Sequence, residues 1–88
     1  MLYEEMLSDL TRYVGEQVLR GQQAGLEPTS PLLEWGVLNS LEIIRLLKYI
    51  EDSFGIVVPP REVTGDNLKD LRSIATLVTR LLDNNSTS

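Results

Sequence analysis

Apolar residues recur at intervals of three and four positions in three stretches of the chain, a spacing typical of amphipathic helices. The first stretch lies near the N-terminus, and its apolar positions are Tyr3, Met6, Leu7, Leu10, Val14 and Val18. Charged residues occupy the other faces of this predicted helix. Gly21 and Gly25 follow where the pattern ends, and either glycine can end the helix.

The second stretch predicts a helix that begins at Asn39-Ser40 and ends near Phe54. Its buried face is expected to hold Ile43, Leu46, Leu47, Ile50 and Phe54. Asn39 is a favourable N-cap, because its side-chain oxygen can accept a hydrogen bond from a backbone N–H group one turn later. Gly55 suits the C-terminal end of the helix, and Pro59-Pro60 prevents the helix from resuming.

The third stretch predicts the last helix, for which Ser73 is the expected N-cap. Its apolar positions are Ile74, Leu77, Val78, Leu81 and Leu82. Residues 61–71 contain only short helical fragments, so one brief helix is expected there. The polar residues 84–88 are expected to fray. These patterns predict a folded domain over residues 1–83 and a flexible C-terminal tail over residues 84–88.

Two connectors are more apolar than a solvent-exposed linker. Pro28 and Pro31 prevent a regular helix through the first part of residues 26–38. That loop nevertheless contains Leu26, Leu32, Leu33, Trp35, Val37 and Leu38. We expect it to lie over one end of the core, with Gly36 giving the chain room to turn. The run Ile56-Val57-Val58 favours a strand, but no second strand is available to pair with it, so a buried extended connector is the preferred interpretation.

The predicted fold is all-α, a four-helix bundle with three longer helices and one short helix. With 88 residues, the chain has room for one domain and one core, without a deep substrate cavity.

Composition and charge exclude several classes of function. The chain has no Cys and no His, which excludes disulfides, zinc sites built on those ligands and Ser-His catalysis. No metal site is expected. The net charge of −5 repels nucleic-acid phosphates. No apolar run is long enough to cross a bilayer, and the acidic N-terminus is unlike a secretory signal, so a cytoplasmic location away from membranes is expected.

Ser40 is the residue whose surroundings suggest chemistry. A serine at the start of a helix is most often a capping residue. As a catalytic nucleophile, Ser40 would lack a histidine base and a G-x-S-x-G turn, and Ile43 stands where a Ser-x-x-Lys arrangement needs Lys. No catalytic residue and no enzymatic activity are therefore expected.

The segment PTSPLLEWGVLNSLE, residues 28–42, resembles the attachment-site region of acyl and peptidyl carrier proteins. That family has a Pro- or Asp-containing approach, Leu-hydrophobic-Glu, a Gly, two hydrophobic residues and Asp-Ser-Leu at the start of a helix. The resemblance continues through Leu46, Ile50-Glu51, Phe54-Gly55-Ile56 and Pro59. It covers nearly the whole chain, and residues 30–60 are its most specific part.

The resemblance implies a carrier fold in which a phosphopantetheinyl transferase moves 4′-phosphopantetheine from coenzyme A onto Ser40. The thiol of this arm would hold a thioester-linked cargo, and Asn39 and Leu41 would flank the arm. Its phosphodiester would lie at a helix N-terminus, which favours an anion by about 0.3–1 kcal/mol. The family usually has Asp before the serine. Asn39 can cap the helix as Asp does, but it lacks the negative charge that the transferase commonly recognises.

The same helix carries the residues that resemble the family's partner-binding positions. These are Leu41, Glu42, Ile44, Arg45 and Lys48. Leu41 directly follows the serine and is expected to be an exposed apolar anchor. Ile44 could equally be exposed or widen the buried face.

The charges of the second helix distinguish subfamilies of carrier proteins, because fatty-acid-type carriers usually have a strongly acidic helix at this position. This helix is mixed, with Glu42, Arg45, Lys48, Glu51 and Asp52. The leading hypothesis is a stand-alone, monomeric carrier of polyketide or nonribosomal peptide-type biosynthesis. Its partners would be the transferase, a loading adenylation enzyme, ligase or acyltransferase, and downstream synthase or tailoring enzymes. The alternatives are a housekeeping fatty-acid carrier or an unmodified adaptor that binds another protein through Leu41 and Ile44.

Overall fold

The computed structural model describes residues 3–20 and 26–86. Within these residues the chain forms four α-helices and no strand. The helices are α1 (Tyr3–Tyr13), α2 (Ser40–Phe54), α3 (Gly65–Leu68) and α4 (Leu71–Ser86). The predicted all-α fold, with three longer helices and one short one, is confirmed. Gly21 and Gly25, the expected stops of the first helix, lie outside the described residues.

Two short helical turns complete the backbone. Val14–Val18 continues α1 as a π-helical turn, in which the Leu19 N–H group donates to the Val14 carbonyl at 2.9 Å. Pro60–Glu62 forms a 3₁₀ turn before α3. The expected brief helix between α2 and α4 is therefore present, and it begins at Gly65.

One hydrophobic core holds the helices together. Helix α4 packs against both α1 and α3. The side chains that are almost fully buried are Met6, Leu10, Val14, Leu32, Leu46, Ile50, Leu68, Leu71, Ile74, Leu77 and Val78. Apart from Leu32 in the loop and Leu68 in α3, they lie on the three longer helices or on the π-helical turn that continues α1, so the predicted apolar faces are the faces that pack. Burying each large aliphatic side chain contributes about 1.5–3 kcal/mol to folding.

The loop before α2 closes one end of the core as expected, with one exception. Leu32 and Leu38 are buried, and the Leu32 N–H group donates to the Lys69 carbonyl at 2.8 Å. Trp35, in contrast, is 60% exposed. The chain turns at Gly36, whose φ of 74° is in the left-handed region. This turn directs the leucines on both sides inward and leaves the tryptophan in solvent.

The ends of α2 agree with the prediction. The Asn39 Oδ1 atom accepts a hydrogen bond from the Glu42 N–H group at 2.9 Å. At the other end Gly55 has a φ of 69°, and its N–H group donates to the Glu51 carbonyl at 2.9 Å. Ile56 and Val58 are buried after it in a segment that is neither helix nor strand, while Val57 faces solvent. The prediction of a buried connector rather than a strand is confirmed for Ile56 and Val58.

The start of α4 differs from the prediction. The residue that caps α4 is Asp70, whose Oδ1 atom accepts from the Ser73 N–H group at 2.7 Å. The helix begins at Leu71, so Ser73 lies inside its first turn and the predicted Ser73 cap is wrong. The helix also runs through residues 84–86, since no Gly or Pro interrupts it. The domain bounds of 1–83 and 84–88 stay a prediction.

A polar and aromatic cluster joins α1 to α2. The Tyr13 and Tyr49 rings stack with their centroids 4.2 Å apart. The Tyr49 hydroxyl donates to Asp9 Oδ2 at 2.5 Å, and Arg12 donates to Asp9 Oδ1 at 2.6 Å. Burial alone would raise the pKa of Asp9, but these hydrogen bonds and the Arg12 charge together lower it below its usual value.

Replacing Tyr49 with Phe is expected to lower the free energy of unfolding by about 1 kcal/mol at neutral pH. The variant loses the hydrogen bond that the Tyr49 hydroxyl donates to Asp9 and the longer one, at 3.3 Å, that it accepts from Arg12. The pKa of Asp9 is depressed in the folded state, so its stabilisation is present above the unfolded-state pKa and is lost as pH falls through the folded-state pKa. The difference between wild type and Tyr49→Phe should therefore shrink on acidification. Urea unfolding at several pH values measures both effects.

The matched control is Tyr13→Phe, which removes a hydroxyl that has no hydrogen-bond partner in residues 3–20 and 26–86. Its loss of stability should not share the acid dependence of Tyr49→Phe. An equal pH dependence in the two variants would contradict the assignment to Asp9.

Candidate functional site

Ser40 is presented to solvent at the start of α2. It is the first residue of the helix and is exposed. Its hydroxyl has no hydrogen-bond partner in the described part of the chain. The bond that caps the helix is made by the Asn39 side chain instead. Ser40 is thus not needed to cap α2. Its oxygen is accessible to an external reagent.

The backbone around Ser40 favours a bound anion. The Glu42 N–H group is satisfied by the Asn39 side chain and the Ile43 N–H group by the Asn39 carbonyl, each at 2.9 Å. The N–H groups of Ser40 and Leu41 have no partner among residues 3–20 and 26–86. Such unpaired donors and the positive end of the helix dipole stabilise a negative group at this position.

The exposed face of α2 carries two large apolar side chains close to Ser40. Leu41 is 58% exposed and Ile44 is 64% exposed. The sequence left open whether Ile44 is exposed or widens the buried face, and the structure shows that it is exposed. Arg45 and Lys48 are also exposed, and Lys48 pairs with Asp52 at 3.4 Å. We call Leu41, Ile44, Arg45 and Lys48 the α2 face.

Glu42 is much less accessible than the other predicted partner-binding residues. Its side chain is only 15% exposed and lies 3.5 Å from the Arg45 guanidinium. Burial raises the pKa of Tyr13 in α1, and the negative charge of Glu42 raises it further. A role for Glu42 in partner binding stays a prediction.

A groove that the sequence did not predict lies beside Ser40, between the end of the first helical segment and the loop before α2. We call it the Trp35 groove, and its volume is about 470 Å³. Its lining residues are Gln17, Val18, Leu19, Arg20, Trp35, Gly36, Val37, Asn39, Glu42 and Arg45. The only sequence signal for it was Trp35, a large aromatic residue in a loop rich in Pro and Gly.

The fold and the site together define a small helical protein that presents a serine at a helix N-terminus. A model of the family described as phosphopantetheine attachment site matches residues 7–81. The chain belongs to this family. The recognition of a carrier protein from residues 28–42 is thereby confirmed.

Two known proteins illustrate the similarity. The probable acyl carrier protein PigG of Serratia sp. (strain ATCC 39006) is 27% identical over 74 residues, which are 84% of this chain and 85% of PigG. A chain in a crystal structure of an FAD-dependent dehydrogenase matches with a TM-score of 0.76 and 28% identity. That match covers 80% of this chain and 99% of the chain in the crystal structure, which is therefore shorter than this protein.

The cofactor of this family is covalently attached 4′-phosphopantetheine. The residues at the start of α2 fit such a group, since an accessible hydroxyl stands beside two unpaired N–H donors. None of the helices in the described residues has the length and apolar character needed to cross a membrane.

Proposed function

We propose that Ser40 is the attachment residue and that the chain carries thioester-linked intermediates without catalysing their conversion. The observation that carries this proposal is the exposed, unbonded hydroxyl at the first position of α2. The family match spans this position, and Asn39-Ser40-Leu41 resembles the Asp-Ser-Leu sequence of carrier proteins. When bound, the group supplies a thiol that the chain, lacking Cys, does not otherwise have.

The chain's own residues prepare Ser40 for modification by a partner. In the transfer, the Ser40 oxygen forms a bond to the phosphorus of the coenzyme A diphosphate nearest the pantetheine, and adenosine 3′,5′-bisphosphate leaves. The hydroxyl proton goes to a base of the transferase, since the chain has no His and the Ser40 hydroxyl is not hydrogen-bonded to any carboxylate in the described part of the chain. The N–H groups of Ser40 and Leu41 then stabilise the phosphodiester by about 0.3–1 kcal/mol.

The proposed pathway is natural-product biosynthesis of the polyketide or nonribosomal peptide type. The mixed charge of helix α2 supports it, because its α2 face exposes Arg45 and Lys48 where a fatty-acid-type carrier is usually acidic. Such a face selects partners of a different charge pattern. The proposed partners are a phosphopantetheinyl transferase, a loading enzyme and a downstream synthase or tailoring enzyme.

An FAD-dependent dehydrogenase is the tailoring partner that we favour. The support is the similarity to a short chain from a crystal structure of such an enzyme, which this chain covers almost completely. The test is addition of a flavin-dependent dehydrogenase to the loaded carrier and measurement of a two-hydrogen mass loss from the cargo. A cargo mass that stays constant with every such enzyme from the host would contradict this choice.

The central test is intact-mass measurement after incubation with coenzyme A and a broad-specificity phosphopantetheinyl transferase. We expect a mass gain of one phosphopantetheine per chain. Protein purified from its own host should carry an amino acid or a small acyl group on the arm. Long saturated chains would contradict the natural-product pathway, and a protein that stays bare with every transferase would contradict the carrier function.

Replacing Asn39 with Asp is expected to raise kcat/KM for the transferase, because a negative charge is restored beside the serine. Stability should change by only a few tenths of a kcal/mol, since Asn and Asp are similar N-caps. The control is Asn39→Ser, which keeps a cap without adding charge. Steady-state kinetics of the transfer compare the three proteins. Equal rates for the Asp and Ser variants would contradict a role for the charge.

A further inference from the structure

We infer that the Trp35 groove is a docking site for the phosphopantetheine arm on the surface of its own carrier. This inference rests on the proposed attachment at Ser40. It adds a resting place for the arm, which the attachment itself does not require. The occupant is the arm, and the groove holds it between visits to partner enzymes.

Three unusual local features meet at this groove. The π-helical turn Val14–Val18 contributes Gln17 and Val18, and π-helical turns are rare and often occur at functional sites. Arg20 has a φ of 53°, which a residue with a side chain rarely adopts. Trp35 keeps 60% of its surface in solvent. Each feature is unfavourable for the isolated chain, and their convergence indicates a binding surface.

The position of the groove favours the phosphopantetheine arm as its ligand. Asn39 lines its edge and is the residue directly before Ser40, so any group on Ser40 starts next to the groove. A ligand that is not attached to the chain would bind only in proportion to its concentration in solution. A tethered group is instead always present at a high effective concentration.

The lining also matches the chemistry of the arm. The groove carries Arg20, Arg45 and Glu42, and Glu42 lies 3.5 Å from Arg45. Arg20 therefore leaves the lining with one net positive charge, although the whole chain has a net charge of −5. This local positive charge suits a phosphodiester. Gln17 can exchange hydrogen bonds with the amides of pantetheine, and Val18 and Trp35 offer apolar surface to its two methyl groups.

Trp35 makes the proposal directly measurable, because it is the only tryptophan in the chain. Its fluorescence should be compared before and after conversion to the holo form, with conversion verified by intact mass. We expect acrylamide quenching of Trp35 to fall in the holo form. The backbone amide NMR signals of Gln17, Val18 and Val37 should shift on conversion, while those of α4 should stay in place.

A charge placed in the groove provides the matched comparison. Gln17→Glu adds a negative charge that repels the phosphodiester, and it should restore apo-like quenching in the fully modified protein. Thr76→Glu adds the same charge on the exposed side of α4 and should leave the protection intact. If the protein gains the full mass of the arm but neither the Trp35 quenching nor the amide signals change, the docking site would be overturned and the attachment at Ser40 would stand. A missing mass gain would overturn the attachment at Ser40 as well.

Discussion

Replacing Ser40 with alanine is expected to abolish the mass gain on incubation with coenzyme A and a phosphopantetheinyl transferase. The transferred phosphoryl group needs an oxygen nucleophile, and alanine leaves only a methyl group at this position. Because Asn39 rather than Ser40 caps α2, the fold should be retained, with a free energy of unfolding within about 0.5 kcal/mol of wild type. Intact-mass spectrometry and urea unfolding measure the two quantities.

Ser53→Ala is the matched control, because Ser53 is an exposed serine near the other end of the same helix. This variant should gain the full mass of the arm. A modified Ser40→Ala protein would place the attachment elsewhere. Function that survives Ser40→Ala in the host would instead support the adaptor alternative.

The limits of α2 could be predicted from the sequence because the signals that set them are local. The Asn39 side chain satisfies a backbone donor three residues away, and Gly55 adopts a left-handed conformation that most residues avoid. Neither effect depends on the rest of the fold. The same is true of Ser40, whose position at the head of α2 follows from the residue before it.

The start of α4 was misassigned because Asp70 and Ser73 are both good N-caps, three positions apart. Local preference cannot choose between them. Tertiary packing does, since Leu71 is fully buried and joins the helix to the core. The cap therefore falls on Asp70, the residue before this leucine.

The Trp35 groove could not be predicted, because its walls come from parts of the chain that are distant in sequence. Gln17 and Arg20 face Trp35 and Arg45 only after the helices have packed. The exposure of Ile44 has a similar origin. The stacking of Tyr49 on Tyr13 fixes which face of α2 meets α1, and Ile44 then lies in solvent. Periodicity gives the width of an apolar face, but the neighbouring helix decides where that face ends.

Replacing Ile44 with Glu is expected to lower kcat/KM of the transferase for this carrier by about thirtyfold or more. An exposed apolar side chain beside the reacting serine is a good anchor for a partner, and loss of such an anchor costs roughly 2 kcal/mol or more of binding energy. Because Ile44 is 64% exposed, the substitution should hardly change the stability of the free carrier. Steady-state transfer kinetics and urea unfolding, measured on the same preparations, separate the two effects.

Val57→Glu distinguishes this contact from a general effect of charge. Val57 is also β-branched, is 66% exposed, and follows the end of α2 that lies opposite Ser40. It therefore matches Ile44 in chemistry and exposure but lies outside the α2 face. We expect Val57→Glu to be modified at the wild-type rate. If both variants slowed equally, repulsion by the added charge would explain the result and Ile44 would lose its role as an anchor. If neither slowed, the transferase would recognise the carrier through residues other than Ile44.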